Sequence, residues 1–211
     1  MRGLFITLEG LEGAGKSSLV PAIRDCLLGM GRGAECFREP GGTPVAEAVR
    51  AILKTPRDDE SIDVRAEVLL MYAARAQLVN TRIRPALERG TDVICDRHDL
   101  SSVAYQGGGR GVAPEILARA REIAIGDFRP DLTLLLDLDP AVGLARVKDR
   151  GGLDRFERSG AEFFYRTRRA YLDYARAHGD VVRIVDAARP PDEVRREALA
   201  LVRETVQCLS A

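Results

Sequence analysis

Gly10-Leu11-Glu12-Gly13-Ala14-Gly15-Lys16-Ser17 stands between an apolar run at residues 4–8 and a stretch over 17–28 whose Leu19, Ile23, Leu27 and Leu28 share one helical face. The octet matches the spacing Gly-x-x-x-x-Gly-Lys-Ser/Thr in full, a coincidence expected in roughly 0.002 of chains of this composition. Successive backbone N–H groups in such a loop turn inward onto a phosphate, and the helix that follows presents its positive end to it. The Lys16 ammonium then reaches the β- and γ-phosphates of a nucleoside triphosphate, and the Ser17 hydroxyl ligates Mg²⁺. The bland alternative is a glycine-rich turn that holds nothing.

Outward from the loop, short apolar runs alternate with helical periodicity. Strands are expected over 35–37, 92–95, 132–136 and 181–185, and helices over 44–53, 63–87, 114–125, 140–148, 161–177 and 191–209, while the glycines of 107–111 predict a loop. Five strands alternating with helices predict an α/β fold of the P-loop NTPase type, a five-stranded parallel sheet with helices on both faces. A length of 211 residues suits one domain spanning 1–211, with a short lid at about 149–158.

Composition removes several classes of function. With 45% hydrophobic and 30% charged residues the chain is neither disordered, collagen-like nor a coiled coil. Lys+Arg and Asp+Glu are both 32, and 32 − 32 = 0 argues against a nucleic-acid coat or a membrane-surface protein. Only three of those cations are Lys (Lys16, Lys54, Lys148), so a Lys inside the phosphate loop stands out against an Arg-rich background. Cys26, Cys36, Cys95 and Cys208 show no Cys-x-x-Cys spacing, and three lie in apolar stretches where a reduced thiol behaves as a small hydrophobe. No apolar run approaches 18 residues, and a cytoplasmic protein is expected.

The acceptor side is read from Asp96-Arg97-His98, directly after a buried strand and so at the carboxyl edge where ligands of such sheets bind. Asp96 suits Mg²⁺ through a water, and Arg97 suits an acceptor phosphate gripped by two N–H groups. A strand-capping Asp–Arg pair is the plain alternative, and His98 reads better as scaffold than as catalyst. The segment at 149–158 sets Arg150, Arg155 and Arg158 around two glycines, as a closing lid would, or as a solvated charged loop would. No Asn-Lys-x-Asp guanine reader is present, which favours a small phosphotransferase over a GTPase switch.

TLEGLEGAGKSS, REPGGTP, EVLLMYAARAQ, DRHDLSSVAYQGGGRG, RPDLTLLLDLDP and RGGLDRFE stand in one order along the chain, and in that order and spacing it resembles bacterial thymidylate kinases almost from end to end. The resemblance implies transfer of the ATP γ-phosphoryl group to dTMP, giving dTDP for dTTP synthesis, with Mg²⁺ and a homodimer. It assigns ATP to the loop Gly10–Ser17, the sugar 3′-hydroxyl to Glu12, the acceptor phosphate to Arg97 with Arg38 as helper, and the thymine edge to Arg75. It puts Ser102 near the base, Tyr105 against the 2′ position, and Arg150 and Arg155 as the lid arginines. One departure stands out: the Phe that stacks on the base, four residues before the base-reading Arg, is Met71 here. Another P-loop kinase, or an ATPase of an assembly, shares the loop alone. Dependence of ATP turnover on dTMP separates these readings.

Overall fold

The computed structural model describes residues 2–57, 59–148 and 154–210. Strands β1 (Phe5–Glu9), β2 (Ala34–Arg38), β3 (Asp92–Asp96), β4 (Leu132–Asp137) and β5 (Val182–Asp186) form one parallel sheet in the order β2-β3-β1-β4-β5. Helices among the described residues are α1 (Lys16–Gly29), α2 (Pro44–Lys54), α3 (Val64–Leu78), α4 (Arg84–Glu88), α5 (Asp99–Ser102), α6 (Pro114–Ile125), α7 (Pro140–Lys148), α8 (Ala161–Ala177) and α9 (Pro191–Ser210).

Strand side chains alternate between two faces, and both are apolar because both are covered. Ile6, Leu8, Ile94, Leu134 and Leu136 pack with Leu19, Ile23 and Leu27 of α1 and Ala198 and Val202 of α9. Phe5, Val93 and Cys95 pack on the opposite face with Val68 and Tyr72 of α3 and Leu117 of α6. Each such side chain contributes about 1.5–3 kcal/mol on burial, and a slip of one residue would turn every one of them to the wrong face. The register is thereby fixed, with Leu8 opposite Asp96 at the carboxyl edge. Thr43 Oγ1 accepts the Ala46 N–H at 3.2 Å to open α2, and the Asp63 carboxylate accepts from Arg65 N–H at 2.8 Å to open α3.

Three expectations need correction. The helix predicted over 63–87 is interrupted: α3 ends at Leu78, a π-helical turn covers Val79–Ile83, and α4 follows. Pro85 has no N–H and its ring crowds the carbonyl four residues back, and the widened turn absorbs both defects. The loop expected at 107–111 is largely helical, because α5 runs on through a π-helical Val103–Gly109. The glycines there serve close packing: a Cβ on Gly108 would lie 2.5 Å from Ala170 Cβ, and one on Gly109 2.7 Å from Thr167 Oγ1 of α8. Among the cysteines only Cys95 is buried, whereas Cys26 is half-buried and Cys36 and Cys208 are exposed. Cys26 sits about 100° of helical rotation off the stripe that carries Leu27. No helix among the described residues is long and apolar enough to cross a membrane.

Candidate active site

β1 and β3 are neighbours, so the segments leaving their carboxyl ends face each other across one cleft of about 500 Å³. One wall is the phosphate loop. Gly13 adopts φ +77° and lies so near Gly143 of α7 that a Cβ there would stand 2.5 Å from the Gly143 carbonyl oxygen. Any side chain would lift the loop off α7. α1 starts from Gly15 without a side-chain cap, which leaves the N–H groups of its first turn directed at the cleft.

Lys16 is buried, and its Nζ donates to the carbonyls of Gly10 and Leu11, each at 2.8 Å. Burial, and after it the nearby Arg97 charge, lowers its pKa to about 8. Ser17 Oγ donates to Asp96 Oδ2 at 3.0 Å, joining the end of the phosphate loop to the end of β3. The sheet order thus places side by side the two groups assigned to Mg²⁺.

Arg97 has φ +75°, the left-handed region that a non-glycine residue rarely enters, and this turns its side chain back over the loop. Its Nη2 pairs with Glu12 Oε1 at 2.8 Å and reaches Tyr105 OH at 3.2 Å, while its Nη1 donates to the Gly10 carbonyl at 3.0 Å. Tyr105 OH donates to Glu12 Oε2 at 2.6 Å. Glu12, Arg97 and Tyr105 therefore form one triangle at the cleft wall. Arg38 lies opposite, paired with Glu47 at 2.9 Å, and Met71 of α3 also lines the cleft.

Arg75 and Ser102 lie behind this surface. Arg75 is 2% exposed, and its N–H groups reach Glu39 at 2.7 Å, Asp99 at 3.3 Å, Ser102 Oγ at 3.0 Å and the His98 carbonyl at 3.0 Å. Burial pushes the Glu39 carboxyl up, but the Arg75 and His98 charges more than offset it and hold it below its ordinary range. His98 Nδ1 bonds Glu39 Oε1 at 2.8 Å, a scaffold contact. Arg155 does not line the cleft. Its Nε donates to the Leu53 carbonyl at 2.7 Å and its Nη1 pairs at 2.7 Å with Glu67, a carboxylate only 1% exposed that calls for a cation. Arg150 lies outside the described residues.

Two cleft arginines escaped the sequence reading. Arg50 of α2 donates to the Pro40 carbonyl at 2.8 Å, and Arg146 of α7 donates to the Gly13 carbonyl at 3.1 Å. The available signal for Arg50 was its position one turn before Lys54, which also lines the cleft. Arg146 follows Gly143 by three residues, on the helix that abuts the loop.

The family model described as thymidylate kinase matches residues 8–198. The chain belongs to the thymidylate kinase family. It is 49% identical over 206 residues to the thymidylate kinase of Alteromonas mediterranea, an alignment covering 98% of this chain and 92% of that protein. It is also similar to the crystal structure of thymidylate kinase from Ehrlichia chaffeensis, with a TM-score of 0.76 and 27% identity over 96% of this chain and 99% of that one. The family's reaction is the chain's activity: phosphorylation of dTMP to dTDP with ATP as donor.

Proposed function

We propose that ATP lies along the loop Gly10–Ser17 and dTMP against Arg97, so that the phosphoryl group passes between them at the carboxyl edge of β1 and β3. The observation that carries this reading is the triangle of Glu12, Arg97 and Tyr105 beside Lys16, a fixed cation next to a phosphate loop. Lys16 follows the charge on the transferring group, and Arg97, helped by Arg38, holds the acceptor phosphate. Glu12 accepts the sugar 3′-hydroxyl, and the Tyr105 ring lies where a ribose 2′-hydroxyl would need a partner. Met71 packs on the base. Arg75 addresses the thymine edge with the one N–H its buried partners leave uncommitted, and Ser102 holds it in place.

Mg²⁺ fits the oxygens present. Ser17 Oγ and Asp96 Oδ2 are hard donors 3.0 Å apart, and among the described residues no group of three or more His, Cys, Asp or Glu builds a protein cage. That matches an ion held by one or two protein oxygens, phosphates and waters. When bound it neutralises charge on the β- and γ-phosphates.

The chain acts as one kinase domain over 1–211 whose lid, about 149–158, brings Arg150 and Arg155 to the phosphates. Arg155 must first leave Glu67. The molecule works in the cytoplasm as a homodimer, and the dimer reading is supported by exposed Leu69 on α3, Val45 and Ile52 on α2, and Ile116 and Ile123 on α6. ADP release measured with dTMP, dUMP, UMP and no acceptor, with and without Mg²⁺, tests the reading. Turnover needing both dTMP and the metal is expected, and equal turnover without acceptor would sink it. Sedimentation gives the oligomeric state, and a monomer at micromolar concentration removes the dimer.

A further inference from the structure

Glu9 closes β1, is completely buried and lies outside the phosphate-loop motif. Its Oε1 accepts the backbone N–H groups of His98 at 2.8 Å and Ser101 at 3.2 Å, so it caps the short α5 from the neighbouring strand. Its Oε2 accepts Ser101 Oγ–H at 2.6 Å and Tyr171 O–H at 2.9 Å. Those same two hydroxyl oxygens lie 3.2 and 3.3 Å from Arg97 Nη1.

A hydroxyl has one proton to give and lone pairs with which to accept, whereas an ionised carboxylate only accepts. With Glu9 charged, both hydroxyl protons are drawn to Oε2, and the lone pairs that remain face Arg97. Burial outweighs every other influence and holds the Glu9 carboxyl above its ordinary range. Four donors converging on the two oxygens and the nearby Arg97 charge favour the anion. Ser101 Oγ and Tyr171 OH also lie 2.9 Å from each other, so a neutral Glu9 would hand one hydroxyl a proton and release that hydroxyl's own proton to the other, using up a lone pair that otherwise faces Arg97.

We propose that Glu9 is a positioning residue for the acceptor phosphate: through the Ser101 and Tyr171 hydroxyls it orients the Arg97 guanidinium in the dTMP site. The proposal rests on the reading that Arg97 holds the acceptor phosphate. Because Tyr171 belongs to α8 and Ser101 to α5, the relay fixes Arg97 from two helices, and its left-handed backbone is held at the same time by Arg97 N–H donating to the Leu8 carbonyl at 2.9 Å.

The test is a cycle of Glu9→Gln, Arg97→Lys and the double variant, with KM measured separately for dTMP and ATP. Gln presents the hydroxyls with an N–H donor in the carboxylate's shape, so Glu9→Gln should raise the dTMP KM about tenfold, the effect of one lost hydrogen bond to a charged group, with ATP KM unchanged. Arg97→Lys should raise it at least as much, and the double variant no further. Tyr171→Phe, which removes one hydroxyl and keeps the ring, should raise it roughly threefold, and it decides the matter if Glu9→Gln does not fold. Additive effects in the double variant, an equal rise in the ATP KM, or unchanged dTMP KM in Glu9→Gln or Tyr171→Phe beside an impaired Arg97→Lys would overturn the relay alone. Unchanged dTMP KM in Arg97→Lys would overturn the phosphate reading on which it rests.

Discussion

Arg97 Nη2 and Glu12 Oε1 form an ion pair of 2.8 Å at the wall of the cleft, joining a residue just past β3 to one inside the phosphate loop. The pair sets an anion, Glu12, beside the cation proposed to receive the acceptor phosphate. Both side chains are less than a fifth exposed, so the interaction is screened less than a surface pair would be. In the proposed site, binding of dTMP would exchange one anionic partner of Arg97 for another and free Glu12 to accept the 3′-hydroxyl. Recognition of the sugar and of the phosphate would thereby be coupled.

That coupling gives a substrate-by-variant prediction. A hydrogen bond to a charged group contributes about 1.5–3 kcal/mol, so Glu12→Ala should lower kcat/KM for dTMP by roughly 10- to 150-fold. For 3′-deoxy-dTMP, which lacks the hydroxyl, the same substitution should cost much less. Equal penalties on both acceptors would show that Glu12 does not touch the sugar.

Lys16 carries a pH prediction. Its amine titrates near 8 rather than at its ordinary 10.5, so kcat/KM for ATP should fall as pH rises through 8. Bound triphosphate stabilises the ammonium, and the fall in kcat should begin at higher pH. The stability change has the opposite sign: between about 8 and 10.5 the unfolded chain holds a proton that the folded chain has lost, so this residue's contribution to stability rises with pH. Lys16→Ala should lower kcat by about 10²–10³ with little unfolding and abolish this limb of the profile. A variant that keeps the limb would assign it elsewhere.

Met71 tests the base pocket. An aromatic ring adds about 1 kcal/mol of stacking, so Met71→Phe should tighten dTMP binding up to about fivefold, read by calorimetry. A lowered Tm with unchanged affinity would make Met71 a core residue, packed with the cluster it already borders.

Arg155 separates stability from catalysis. Arg155→Ala takes the nearer of two cations from the buried Glu67, leaving Arg110 Nε at 3.5 Å and the Gln106 Nε2 donor at 2.8 Å, and unfolding free energy should fall by about 1–3 kcal/mol. Adding Glu67→Gln should recover most of the lost Tm. If Arg155 also reaches the phosphates when the lid closes, kcat stays low in the double variant. Recovery of both would confine Arg155 to holding the segment against α3.

What the sequence by itself determined is what contiguous residues decide. The phosphate loop is eight consecutive residues whose glycines set the backbone, and α6, α7 and α8 begin and end where their periodicity predicts. The inner strands β1, β3 and β4 are legible because a sheet covered on both faces needs unbroken apolar runs, whereas the edge strands β2 and β5 carry Glu35 and Arg183 and are shorter signals. Only the tertiary structure decided which charges meet. Glu9 and Tyr171 are 162 residues apart, Glu12 and Arg97 are 85 apart, and each pair touches because β3 lies beside β1 and α8 packs on the π-helical Val103–Gly109 that follows β3. The family resemblance assigns Arg75 and Arg155 to ligands, and what it does not carry is that Glu39, Asp99 and Ser102 enclose the first and Glu67 pairs with the second. A buried carboxylate recruits whichever guanidinium the fold brings within reach, and periodicity along the chain carries no record of that choice.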